Sequence, residues 1–155
     1  MTDQNETNDY QIPEPTEAVK RLDRLVGTWN MTGGAVGTST YEWLEGGFFL
    51  MQRYDFVQGD HHVKGIEVIG QERRFGEEPS EDIKSRIYDT EGNTFDYVYE
   101  IVDGDKVADT LMIWGGEKGS PAYYKGTFSD DGNTVTGEWV YPGGGGYQSD
   151  MTRVK

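Results

Sequence analysis

The residues able to do chemistry are few, and they do not fall into the familiar catalytic arrangements. His61 and His62 are the only imidazoles, and there is no cysteine. Neighbouring residues on an extended chain point to opposite sides, so this pair cannot grip one metal ion; a solvated turn accounts for it better. With no thiol, and no serine or threonine at a credible spacing from a histidine, the usual nucleophile–base pairs are absent. The run Gly115-Gly116-Glu117-Lys118-Gly119-Ser120 lacks the spacing of a phosphate loop and no helix pattern follows it, so it reads as a hairpin loop. Pro142 with Gly143 to Gly146 reads as a mobile loop able to gate a cavity mouth. What remains is carboxylates, arginines and tyrosines on extended segments.

Those segments dominate the chain. Val19, Leu22, Leu25 and Val26 fall at helical spacing behind a Thr16 N-cap, with Lys20, Arg21, Asp23 and Arg24 on the other side, and Gly27 ends the helix. After it come short runs rich in aromatic and β-branched residues. They predict strands over 28–32, 39–44, 48–57, 63–73, 83–89, 94–102, 106–114, 122–129, 134–141 and 147–154. The links Glu45-Gly46-Gly47, Gln58-Gly59-Asp60, Glu91-Gly92-Asn93, Asp103-Gly104-Asp105 and Asp130-Asp131-Gly132-Asn133 carry the residues that tight turns with positive φ demand. Sequential strands are therefore neighbours, and closing the sheet removes its two exposed edges. The expected fold is all-β: a single antiparallel up-and-down barrel of about ten strands over residues 13–155, with a short N-terminal helix. Residues 1–12 carry little that could pack and read as a flexible arm.

Composition narrows the partners. Apolar residues make up only 34% of the chain but aromatics 13%, so the core is expected to be aromatic-rich. Asp and Glu number 28 against 14 Lys and Arg, a formal charge of −14 that repels phosphate backbones and anionic headgroups. Nucleic acid and membrane are not expected partners, no cofactor is expected, a homodimer is left open, and the cytoplasm is the expected location.

The helix that runs into Gly27-Thr28-Trp29, followed only by hairpin-linked strands, resembles the calycin superfamily, which holds lipocalins, fatty-acid-binding proteins and nitrobindin. Glu42 to Leu50, Glu-Trp-Leu-Glu-Gly-Gly-Phe-Phe-Leu, is similar to a block in uncharacterised bacterial lipocalin-like domains. The resemblance implies that Trp29 plugs one end of the barrel and that Arg153 of the last strand lies across its ring, which moves any function toward the other end. It also has gaps. Nitrobindin-like proteins hold haem through a late histidine, and the fatty-acid-binding Arg-x-Tyr is here Thr152-Arg153-Val154-Lys155.

With the Trp29 side turned inward, the residues expected to line a cavity are Trp43, Arg53, Glu67, Arg86, Tyr97, Tyr99, Trp114, Tyr124, Trp139 and Tyr147. A slip of one residue in register reverses any strand's contribution. The function this suggests is binding of a small apolar or aromatic molecule, with an acidic one admitted by Arg53 and Arg86. Two alternatives stand beside it: an isomerase, cyclase or lyase using an Arg, Glu and Tyr set in the cavity, and a filled barrel acting as a structural or interaction module.

Overall fold

The computed structural model describes residues 11–155 and forms one closed barrel of ten antiparallel strands. Of the arm expected over residues 1–12, residues 1–10 lie outside the described residues; Gln11 and Ile12 are exposed and belong to no element. The strands are β1 (Gly27–Gly33), β2 (Val36–Trp43), β3 (Phe49–Gln58), β4 (His61–Gln71), β5 (Ile83–Asp89), β6 (Asp96–Val102), β7 (Thr110–Gly115), β8 (Tyr123–Phe128), β9 (Thr134–Val140) and β10 (Tyr147–Arg153). Each pairs with the next in sequence, and β1 closes the ring on β10 with Trp29 opposite Arg153. Among the described residues no helix is long and apolar enough to cross a membrane.

The N-terminal helix is less regular than its sequence pattern suggests. Thr16 caps α1 (Glu17–Lys20) by accepting the Val19 N–H, and the chain then tightens into a 3₁₀ turn over Arg21–Leu25. A 3₁₀ turn stacks residues three apart on one side. Val19, Leu22 and Leu25 have that spacing, and all three are fully buried over one end of the barrel.

Trp29 fills that end. It is inaccessible to solvent, its indole N–H donates to the Leu25 carbonyl at 2.8 Å, and the Arg153 guanidinium lies 4.2 Å from the ring centroid. Arg153 also donates to the carbonyls of Arg24, Val26 and Gly132 and to Asn133 Oδ1, tying the 3₁₀ turn and the β8–β9 turn to the closing strand. Gly27 is required here twice over. Its φ is +127°, and a Cβ there would lie 2.6 Å from Arg153 Nη1. The Gly-x-Trp spacing thus leaves room for the cation that covers the indole.

Two connections differ from expectation. The β3–β4 hairpin is tighter, with Gln58 paired to His61, so both histidines belong to β4. They grip separate carboxylates at 2.6 Å, His61 reaching Glu91 and His62 reaching Asp55, as alternation on a strand requires. The predicted turn at Asp103-Gly104-Asp105 is a longer loop, and the residue at positive φ is Ala108, at 53°. Asp109 Oδ1 accepts from the Gly104 N–H and Oδ2 from the Lys106 N–H, which holds this stretch out of the sheet and delays β7 to Thr110.

Candidate functional site

Away from the Trp29 plug the barrel encloses a cavity of about 160 Å³. Inward positions follow from alternation: Leu50, Gln52, Tyr54 and Phe56 on β3, Val63, Glu67 and Ile69 on β4, and Ile83, Ser85 and Ile87 on β5. Half-way along these strands a polar belt crosses the apolar interior. Gln52 Nε2 donates to Ser39 Oγ at 2.6 Å; next to Gln52 in register lies Glu67. The Glu67 carboxyl accepts two short hydrogen bonds, one from Ser85 Oγ to Oε2 at 2.6 Å and one from Tyr99 Oη to Oε1 at 2.6 Å.

Glu67 is only 3% exposed, and among the described residues no lysine, arginine or histidine lines the cavity with it. Burial pushes its carboxyl up to about 7, against the pull of the Ser85 and Tyr99 hydroxyls, which favour the charged form. The tyrosines around it move the same way. Burial, reinforced by the Glu67 charge, raises the Tyr41, Tyr97 and Tyr99 hydroxyls well above their ordinary value, so they stay protonated. They can donate hydrogen bonds but carry no charge.

The wall beyond Glu67 is aromatic. Trp139 stands among Tyr97, Tyr124 and Tyr141, with ring centroids 5.9, 5.5 and 6.0 Å away, and the Tyr141 ring is parallel to it within 4°. Tyr124 is fixed by its hydroxyl, which donates to the Ser149 carbonyl at 2.8 Å. Tyr141 and Tyr147 flank the Gly143–Gly146 stretch, which connects β9 to β10 at the end opposite Trp29.

Of the ten residues expected inside, Glu67, Tyr97, Tyr99, Tyr124, Trp139 and Tyr147 line this cavity, and four do not. Arg53 faces solvent, on the face of β3 that also carries Asp55. Arg86 also faces out, paired with Asp96 at 2.7 Å, and its guanidinium holds that carboxyl below the usual carboxylate range. Trp114 packs outside on Tyr123, with centroids 5.4 Å apart, and its indole N–H donates to Glu100. Trp43 is on the inner face but too near the plugged end; its indole N–H donates to Asp23 Oδ1 under the 3₁₀ turn. Among the described residues the cavity therefore holds no arginine, and an acidic ligand would meet no cation there.

Several lining residues escaped the sequence reading. Tyr41 lies two residues before Trp43 and Tyr141 two after Trp139, so alternation alone could have found them; Gln52 and Tyr54 lie on the uncharged face of β3. Because Arg53 and Arg86 face solvent, Arg53→Ala and Arg86→Ala are expected to leave the affinity of any cavity ligand unchanged, which titration of the two variants would check.

The fold and site together define a closed up-and-down barrel, plugged at one end, with the Glu67 carboxyl inside an aromatic cavity. No family model matches the chain, and no curated protein matches it in sequence.

Proposed function

We propose that this is a calycin-like barrel that binds a small, largely apolar molecule built on a single ring. The observation that carries this reading is the cavity itself, about 160 Å³ of mostly aromatic wall around one buried carboxyl. A cavity of roughly 150 Å³ in a protein core takes up benzene, whereas drug-sized ligands use about 300 Å³ or more. The size suits one ring with a short substituent and is too small for haem or a long acyl chain. A barrel kept only as scaffold would gain stability by filling such a space, since an empty cavity forfeits packing contacts.

The test is direct. Native mass spectrometry of the purified protein, with Trp fluorescence titration against one-ring compounds, is expected to give saturable binding of one molecule per chain. Trp139→Ala is expected to weaken it at least tenfold by removing the centre of the aromatic wall. Absence of binding by every ring compound would defeat the reading.

A second reading has its own support in Glu67. A carboxyl near neutrality, with the Tyr99 hydroxyl 2.6 Å away, is equipped to move a proton on a bound ring. In that case Glu67→Gln abolishes turnover while binding survives.

A further inference from the structure

Resting on the cavity-binding reading, we infer that the ligand is a protonated amine carried on a ring, its ammonium seated against Glu67 and its ring against the wall formed by Tyr97, Tyr124 and Trp139. Among the described residues Glu67 is the one acidic side chain lining the cavity, and the groups facing it are uncharged: Tyr41 from β2, Gln52 and Tyr54 from β3, Ser85 from β5, Tyr97 and Tyr99 from β6. Its two short hydrogen bonds are donated to it and use one acceptor site on each oxygen. An ionised carboxyl offers about four such sites, so donors are still wanted on the cavity side. A buried charge with no counter-charge is costly, and an entering cation supplies the missing partner.

The wall favours the same sign. Aromatic faces carry negative potential and attract an ammonium, most strongly where water is excluded. A carboxylate ligand would instead share the cavity with Glu67, a like-charge contact with no cation among the described lining residues to offset it. The charge of −14 also concentrates cations near the surface and turns anions away. At the open end stand Asp60 in the β3–β4 turn and Asp89 at the end of β5, while Glu91 is held by His61 at 2.6 Å and Lys118 is drawn back to Glu100 at 2.8 Å.

Binding of an ammonium requires ionised Glu67, so with that carboxyl near 7 the affinity rises by about tenfold from pH 6 to pH 8 and levels off above. Three probes of nearly equal size separate the possibilities by calorimetric titration: benzylamine, which stays protonated over this range, benzyl alcohol and benzoate. At pH 8 benzylamine is expected to bind at least tenfold tighter than benzyl alcohol, with benzoate weakest, and in Glu67→Gln the amine's advantage disappears while the alcohol still binds. One arm needs no variant. Repeating the benzylamine titration at pH 7 in buffers of different ionisation enthalpy is expected to show about half a proton released per amine bound. If the alcohol matches the amine at both pH values with no proton release, or if benzoate binds best, the amine inference is overturned and the cavity reading stands. If none of the three binds, and toluene does not either, both fall.

Discussion

Trp29→Ala is expected to destabilise the protein by about 3–5 kcal/mol, the range for deleting a fully buried aromatic ring. That is a large share of the total, since domains of this kind are stable by only about 5–15 kcal/mol. Three losses coincide at this residue. The indole leaves a void beneath Leu22 and Leu25, its N–H no longer caps the Leu25 carbonyl, and Arg153 loses the ring it covers. The last is worth roughly 0.5–2 kcal/mol, according to how dry the contact is. Arg153 also bonds Val26 from 127 residues away in the chain, so the plug fastens the seam whose closure costs the most chain entropy. Arg153→Lys keeps the charge but loses the planar fork that reaches several carbonyls at once, and it is expected to cost less than Trp29→Ala. Urea unfolding measured by far-UV circular dichroism checks both; a loss under 1 kcal/mol for Trp29→Ala would mean that the seam closes without its plug.

The strand order was legible in the sequence and the inner face only in part, for reasons that particular residues make plain. Turn residues and alternation are local, so ten strands in sequential pairing followed from them. The face depends on the offset between strands, and the connection between β2 and β3 sets Trp43 opposite Leu50 and Thr40 opposite Arg53. Cross-strand partners share a face, so Trp43 and Arg53 could not both point inward, although each was plausible alone. On β7 the run Thr110 to Ile113 is buried without alternation, which leaves no periodic signal to say that Trp114 faces out. Trp43 shows a different limit. Period gives the face of a strand but not the depth along the barrel axis, and depth decides whether an inward ring meets the cavity or the plug. On β4 apolar residues occupy both faces, Val63 and Ile69 beside Glu67 and Ile66 and Val68 opposite, so Glu67 reads as inward only with the Trp29 side as the inner one; its isolation from any cation depended on where Arg53 and Arg86 pointed.

Glu67→Gln is expected to make the ligand-free protein more stable at pH 8 by about 3 kcal/mol, with little change at pH 4. The sign follows from the direction of the shift. Burial raises the folded-state value of Glu67 from 4.5 to about 7, so between those values the folded chain holds a proton that the unfolded chain has released. Below 4.5 both states are protonated and nothing is lost. From 4.5 up to 7 stability therefore falls steadily, because the unfolded chain ionises freely while the folded one keeps its carboxyl neutral among aromatic rings, and it levels off above 7 once the folded group is charged as well. A glutamine removes the titration and keeps the shape. Its carbonyl accepts from one hydroxyl and its amide donates to the other, because both Ser85 and Tyr99 can reverse the direction of their bonds. Urea unfolding of both proteins at pH 4, 6 and 8 should therefore give diverging stabilities, and parallel curves would show that Glu67 does not titrate in this range. Surface carboxylates titrate alike in the two proteins, so the difference between them isolates this group. A bound cation would reverse the wild-type loss, since a ligand that prefers the folded state stabilises it by RT ln(1 + [L]/Kd), about 2.7 kcal/mol at a hundredfold excess over Kd. The instability of the empty barrel at alkaline pH and its affinity for an ammonium are thus two measures of one uncompensated charge.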